Sequence, residues 1–363
     1  MLNDTDRERD FPSLSEMVYL NTAAEGIPPL GAGEALQRYH SHKIKGMDGR
    51  VLFAREFDAC REETAALLGL SADEVSFCSS TSEAYNLLAA AIPFSPGDNL
   101  LITNLDFPSG VTPWLQTAGQ PEVRLWEHHN GVLDLDALSA LLDERTRLVQ
   151  VSLVSFLTGY RLEWAPFRDL VRAKAPQAIL AVDVTQAAGR VVLDCLDADC
   201  LFASTYKWLL GTHGGCVVAV PNHARERIVV RAGGWYNLAN AFDSDRFVRA
   251  EPFPGVRGFT VGMPSYPAVY ALRAGIEVLN RETVAAIANH ADPLVARLHN
   301  GLSDLGYLTL SPHQLGNTGG IVAMKTQHDA AIHVHLLSRG IHVMHQAGRI
   351  RFAVHGYTRV GDI

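Results

Sequence analysis

Between residues 75 and 220 short apolar runs alternate with stretches of helical period. Residues 75–79, 100–103, 123–126, 148–155, 179–183, 201–204 and 215–220 read as strands, and 83–92, 135–143 and 164–174 as helices. Such alternation predicts an α/β fold, a mostly parallel sheet with helices on both faces. After Pro264 the pattern changes. Residues 266–281, 283–305 and 330–339 read as helices, and 321–325, 342–344 and 349–354 as strands, which predicts a smaller α+β domain. The resulting partition is 1–50 as an N-terminal segment packing with the small domain, 51–264 as the large domain and 265–363 as the small one.

Ligands of such sheets bind beyond the carboxyl ends of the strands. Three polar groups sit there: Ser79–Ser80, Asp183 and Ser204. The run Ser79, Ser80, Thr81, Ser82, Glu83 places hydroxyls at a helix start, with Ser80 and Glu83 at capping-box spacing. Taken alone it reads more readily as a plain cap than as an anion site, since such caps are common. Asp183 closes an apolar strand, where a carboxylate either caps the next helix or faces a cationic partner. Lys207 lies in Ser204-Thr205-Tyr206-Lys207-Trp208. An amine for an imine, a carboxylate for a ring N–H and hydroxyls for a phosphate are what a pyridoxal 5′-phosphate (PLP) enzyme must supply. Ser204 and Tyr206 are within reach of the phosphate on this reading, or else pack at the strand end. Phe107 is either a core aromatic or a ring stacked on the cofactor. In 349–355 alternation puts Arg349, Arg351 and Ala353 on one face, and Arg351 is a candidate clamp for a substrate carboxylate. His345 precedes that strand and is a candidate pocket residue, and Trp235 is a candidate at the pocket mouth.

The chain has 363 residues, 47% hydrophobic and 19% charged, with a net charge of −8 and no long basic run, which argues against nucleic-acid partners. The first ten residues have no apolar signal core and no window resembles a membrane span, so a cytoplasmic protein without a membrane partner is expected. The five cysteines form no Cys-x-x-Cys and read as reduced thiols. Histidines gather near the end (His313, His328, His333, His335, His342, His345, His355), without ligand spacing that calls for a metal.

Taken together, the segments resemble the class V aminotransferase family of fold-type I PLP enzymes, which includes cysteine desulfurases and isopenicillin N epimerase-like proteins. The resemblance spans nearly the whole chain. It implies that Asn21 lies on the substrate side, and that Thr81 and Ser82 contact the phosphate. It also implies that Phe107 stacks on the ring, Asp183 binds the ring nitrogen, Gln186 the ring hydroxyl, Lys207 forms the imine and Arg351 binds the carboxylate. The family's lysine motif has a histidine where this chain has Tyr206. Residues 257–264 resemble a stretch that reaches a partner subunit's phosphate, with Met263 in place of threonine, so the resemblance implies a homodimer with the active site at its interface. Phe156 stands where an asparagine is frequent. The 340–348 loop lacks the cysteine on which a desulfurase of this family takes up sulfur. The chain ends at Ile363, where the family pattern continues into a last helix. The implied chemistry acts at Cα of an amino acid through an external aldimine and its carbanion. An aminotransferase is the leading expectation, ahead of a carbon–sulfur lyase acting by β-elimination, an epimerase, or a non-catalytic PLP-fold protein.

Overall fold

The computed structural model describes residues 4–312 and 319–363; His313 therefore lies outside the described residues. Seven strands form the main sheet, ordered Val75–Cys78, Cys216–Ala219, Cys200–Ser204, Ile179–Asp183, Thr146–Ser152, Asn99–Thr103 and Glu122–Trp126. Cys216–Ala219 alone runs antiparallel to its two neighbours; the other pairings are parallel. The predicted α/β architecture is thus present. Its consequence for function is geometric, because the six co-directional strands deliver their carboxyl ends to one edge. The strand expected over 148–155 stops at Ser152, since Ser155 turns inward and donates its hydroxyl to the Leu105 carbonyl at 3.1 Å.

The helix Trp164–Lys174 shows why the pattern folds as it does. Trp164, Phe167 and Val171, spaced by three and four, are buried, while Arg168 and Lys174 face outward. Trp126 stacks on Phe167 with centroids 5.9 Å apart. Two further helices, Leu30–Lys43 and Gly49–Leu68, pack against Tyr266–Glu282 and share the large core with it. Tyr266–Glu282 was grouped by its sequence with the C-terminal part, yet its Tyr266, Val269, Tyr270 and Leu272 belong to that large core.

A second, antiparallel sheet runs Met344–Gln346, Arg349–Ala353, Ile321–Lys325 and Leu308–Thr309. Its core joins Val322, Met324, Ile350 and Phe352 to Leu294, Val295 and Leu302 of the helix Val284–Asp304. Leu20 of the N-terminal segment belongs to this core, and Val18–Tyr19 pairs in parallel with Ile341–His342. The single strand expected over 342–344 is two. The chain changes pairing partner at Val343, whose side chain is buried in the small core. Among the described residues no helix is long and apolar enough to cross a membrane.

Candidate active site

At the carboxyl edge of the main sheet a pocket is lined by Thr81, Phe107, Ser109, Ser152, Phe156, Asp183, Thr185, Gln186, Ser204, Tyr206 and Lys207. Parallel strands put Ser152, Asp183 and Phe202 side by side in register. Seven residues singled out in the sequence (Thr81, Phe107, Asp183, Gln186, Ser204, Tyr206 and Lys207) therefore meet in one place.

Of the five lysines, Lys43, Lys45, Lys174 and Lys325 are exposed and Lys207 alone is buried, at 8% exposure. Its Nζ lies 5.4 Å from the Phe107 ring centroid and 5.6 Å from that of Tyr206. Burial lowers its pKa to about 8; Asp183 opposes that shift and the positive charge of Arg351 adds to it. A buried amine with this pKa is a ready nucleophile near neutral pH.

One carboxylate oxygen of Asp183 accepts the Thr185 amide at 2.8 Å. Burial raises the Asp183 pKa, while Thr185 and Lys207 pull it back. A cationic ring N–H is the partner that would offset the burial of this charge. Gln186 is already held at both ends: Nε2 donates to the Ala23 carbonyl at 3.0 Å, and Oε1 accepts the Trp208 indole N–H at 2.6 Å.

The phosphate end is built on the helix Thr81–Ala91, eleven residues long and capped by Ser80, whose Oγ accepts the Glu83 amide at 3.1 Å. Glu83 does not close a capping box on Ser80; its carboxylate accepts the Ser79 amide at 2.6 Å instead. Thr81 Oγ1 and Ser204 Oγ lie 3.4 Å apart in the pocket. Hydroxyls beside a helix start, one buried lysine, a buried carboxylate and a half-exposed Phe107 ring together fit PLP.

Other predicted residues sit elsewhere. Ser82 is exposed on the first turn of that helix and does not line the pocket. Arg351 is not among the lining residues but adjoins them: it is 4% exposed, with Nη1 donating to the carbonyl of the lining residue Phe156 at 2.8 Å. Asn21 bridges to Ala353, and its buried Oδ1 has no hydrogen-bond partner. His345 is not brought to the pocket: its Nε2 meets Asp329 at 2.6 Å and its ring stacks on His333. Trp235 is half-exposed and packs on Tyr236 and Phe242. Its amide bonds to Val261, one of the residues around a second cleft that includes Met263.

Several contributors were not singled out in the sequence. Gly26 donates its amide to the Tyr206 carbonyl at 2.8 Å, and a Cβ there would meet the Lys207 carbonyl oxygen at 2.0 Å, so only glycine lets the N-terminal segment lie on the lysine loop. Asp106, beside Phe107 in the turn that follows the strand Asn99–Thr103, is buried with neither carboxylate oxygen in a well-formed hydrogen bond. Burial raises its pKa to about 8; nearby Ser152 tempers the shift and Asp183 adds to it. His355 stacks between Trp208 and Tyr357, and burial lowers its pKa to about 3, which makes it a neutral structural ring.

The family model Aminotransferase class-V matches residues 18–356. An uncharacterized aminotransferase, YcbU, of Bacillus subtilis is 25% identical, covering 96% of this chain and 92% of that protein. A probable cysteine desulfurase of Pseudomonas aeruginosa is 31% identical, covering 81% and 76%. Among solved structures, the apo cysteine desulfurase of Thermococcus onnurineus superposes with a TM-score of 0.88 at 22% identity, covering 100% of this chain and 96% of that one. The cystine C-S lyase C-DES does so with 0.87 at 20%, covering 97% and 96%. At these identities the structural likeness establishes the fold.

Proposed function

The chain belongs to the class V aminotransferase family and is a PLP-dependent enzyme, and on that premise we propose that it transfers the amino group of an amino acid, with Lys207 as the working base. PLP, when bound, supplies an electron sink for bond breaking at Cα. Lys207 would tether it, Asp183 would face its ring nitrogen, Phe107 would cover its ring, and Thr81 and Ser204 would hold its phosphate. Arg351 fixes the substrate carboxylate and thereby orients Cα toward Nζ of Lys207. Once its amine is free, Nζ would take the Cα proton and deliver it to the cofactor carbon that bears the amino group, not back to Cα. Burial of Lys207 keeps a sizeable neutral fraction of that amine near pH 7.

The observation that carries this reading is that one buried amine serves the pocket. Transfer needs one base for both proton movements, whereas inversion at Cα asks for a second base across from it. Tyr206 is no ready substitute, because burial raises its pKa. The absence of cysteine from residues 340–348 speaks against a persulfide relay. We place the active site at a homodimer interface. Phe242, Phe247 and Val248 are 79%, 87% and 88% exposed, and such a patch favours a partner surface.

The test is a panel of amino acids offered to the PLP-loaded protein with a 2-oxo acid acceptor. Amino-group transfer to the acceptor is expected. Ammonia with a released thiol, or a racemised substrate without transfer, would replace this reading with elimination or epimerisation.

A further inference from the structure

Arg349 and Arg351 lie on the same face of Arg349–Ala353, and both are more than nine-tenths buried, at 7% and 4% exposure. Neither has an acidic partner among the described residues, and the Nε of each is buried without a hydrogen bond. The Arg349 side chain has no hydrogen-bond or ion-pair partner among the described residues. Its guanidinium lies 5.6 Å from the ring centroid of Phe156. Phe156 is also the residue whose carbonyl receives Arg351 Nη1, and it lines the Lys207 pocket edge-on to Phe107, with centroids 5.1 Å apart. Both guanidiniums therefore converge on one wall of the pocket. Across the sheet Arg349 sits opposite Lys325, a further cation on the same face.

Two like charges held together out of water are unfavourable unless an anion joins them. Burial depresses both guanidiniums, and Arg349 adds to the effect on Arg351. One α-carboxylate accounts for Arg351 and leaves Arg349 unanswered. A single arginine would suffice for a substrate with a neutral side chain.

We propose that the substrate is an amino acid whose side chain ends in a second anionic group, with Arg351 taking the α-carboxylate and Arg349 the distal anion. This rests on the reading of the pocket as an amino-acid site and holds whichever reaction follows. Lys325, exposed beyond Arg349, continues the positive row outward and draws such substrates in.

The test needs no turnover. PLP-loaded wild-type protein is titrated calorimetrically with butyrate, glutarate and 3-phosphonopropionate. A charge-assisted hydrogen-bonded contact predicts that at least one doubly anionic probe binds about ten- to a hundredfold tighter than butyrate. Whichever of the two does so identifies the distal group as carboxylate or phosphorus oxyanion. In R349Q, and in R349K, where the planar fork is lost, that advantage should shrink, and in R349Q it should approach unity. Equal affinities of all three probes for the wild type would overturn the proposal without reference to any variant. So would an advantage that persists in folded R349Q. If dianions bind tightly while no amino group is transferred in the amino-acid panel, the transferase reading fails and this one stands.

Discussion

Asp106→Asn should make the protein's stability less sensitive to pH. Asp106 is buried without a well-formed hydrogen bond, and its folded-state pKa is raised to about 8. In the unfolded chain the same carboxyl ionises above roughly 3.9. Between those values the folded state keeps a proton that the unfolded state has released, so stability falls as pH rises across that window. The cost grows by about 1.4 kcal/mol per pH unit, on the order of 1.5 kcal/mol at pH 5 and 4 kcal/mol at pH 7. Asparagine has the same shape and no proton to lose. Urea denaturation of the cofactor-free wild type and D106N at pH 5, 6 and 7 measures the difference. It should move in favour of D106N by about 2 to 3 kcal/mol between pH 5 and 7. Any packing penalty of the amide is the same at each pH and drops out of that slope. A difference that stays flat over the range would refute the assignment of a buried, protonated Asp106.

The rate at which cofactor-free protein captures PLP should rise about tenfold per pH unit below 8 and level off above it, because only the neutral amine attacks and burial brings Lys207 to about 8; stopped-flow absorbance reads this directly, and a rise continuing to pH 10 would contradict the environment described. Gly26→Ala should cost roughly 1–3 kcal/mol by calorimetry or denaturation, since the added Cβ meets the Lys207 carbonyl oxygen at 2.0 Å. The same variant should also retain PLP less tightly, and a G26A protein matching wild type in both would show that the N-terminal segment does not brace the lysine loop.

Much of this architecture was legible because parallel strands leave strong sequence traces. Buried on both faces, Ile179–Asp183 and Cys200–Ser204 are unbroken apolar runs that end on the polar residue of interest. The site residues at those ends follow from the fold. What escaped depends on partners distant in sequence. Leu30–Lys43 buries only Ala32 and Ala35, so its apolar stripe is faint. Gly49–Leu68 hides Glu56, which meets Arg38 and Arg273, a polar core position that periodicity does not reveal. The split at Val343 depends on which segment lies alongside, with Val18–Tyr19 before it and Arg349–Ala353 after it. His345 follows the same rule: its neighbour in the fold is Asp329 on the preceding helix, not the pocket its sequence position suggested. Gly26 and Asp106 carried no motif; one is read from a close backbone approach, the other from burial beside Phe107.

The most direct measurement of the central claim is reduction of the PLP-loaded protein with borohydride followed by peptide mapping. With five lysines, four of them exposed, the map is simple. A single phosphopyridoxyl group on Lys207 is predicted, absent from K207A. No label, or label confined to Lys43, Lys45, Lys174 or Lys325, would contradict the account.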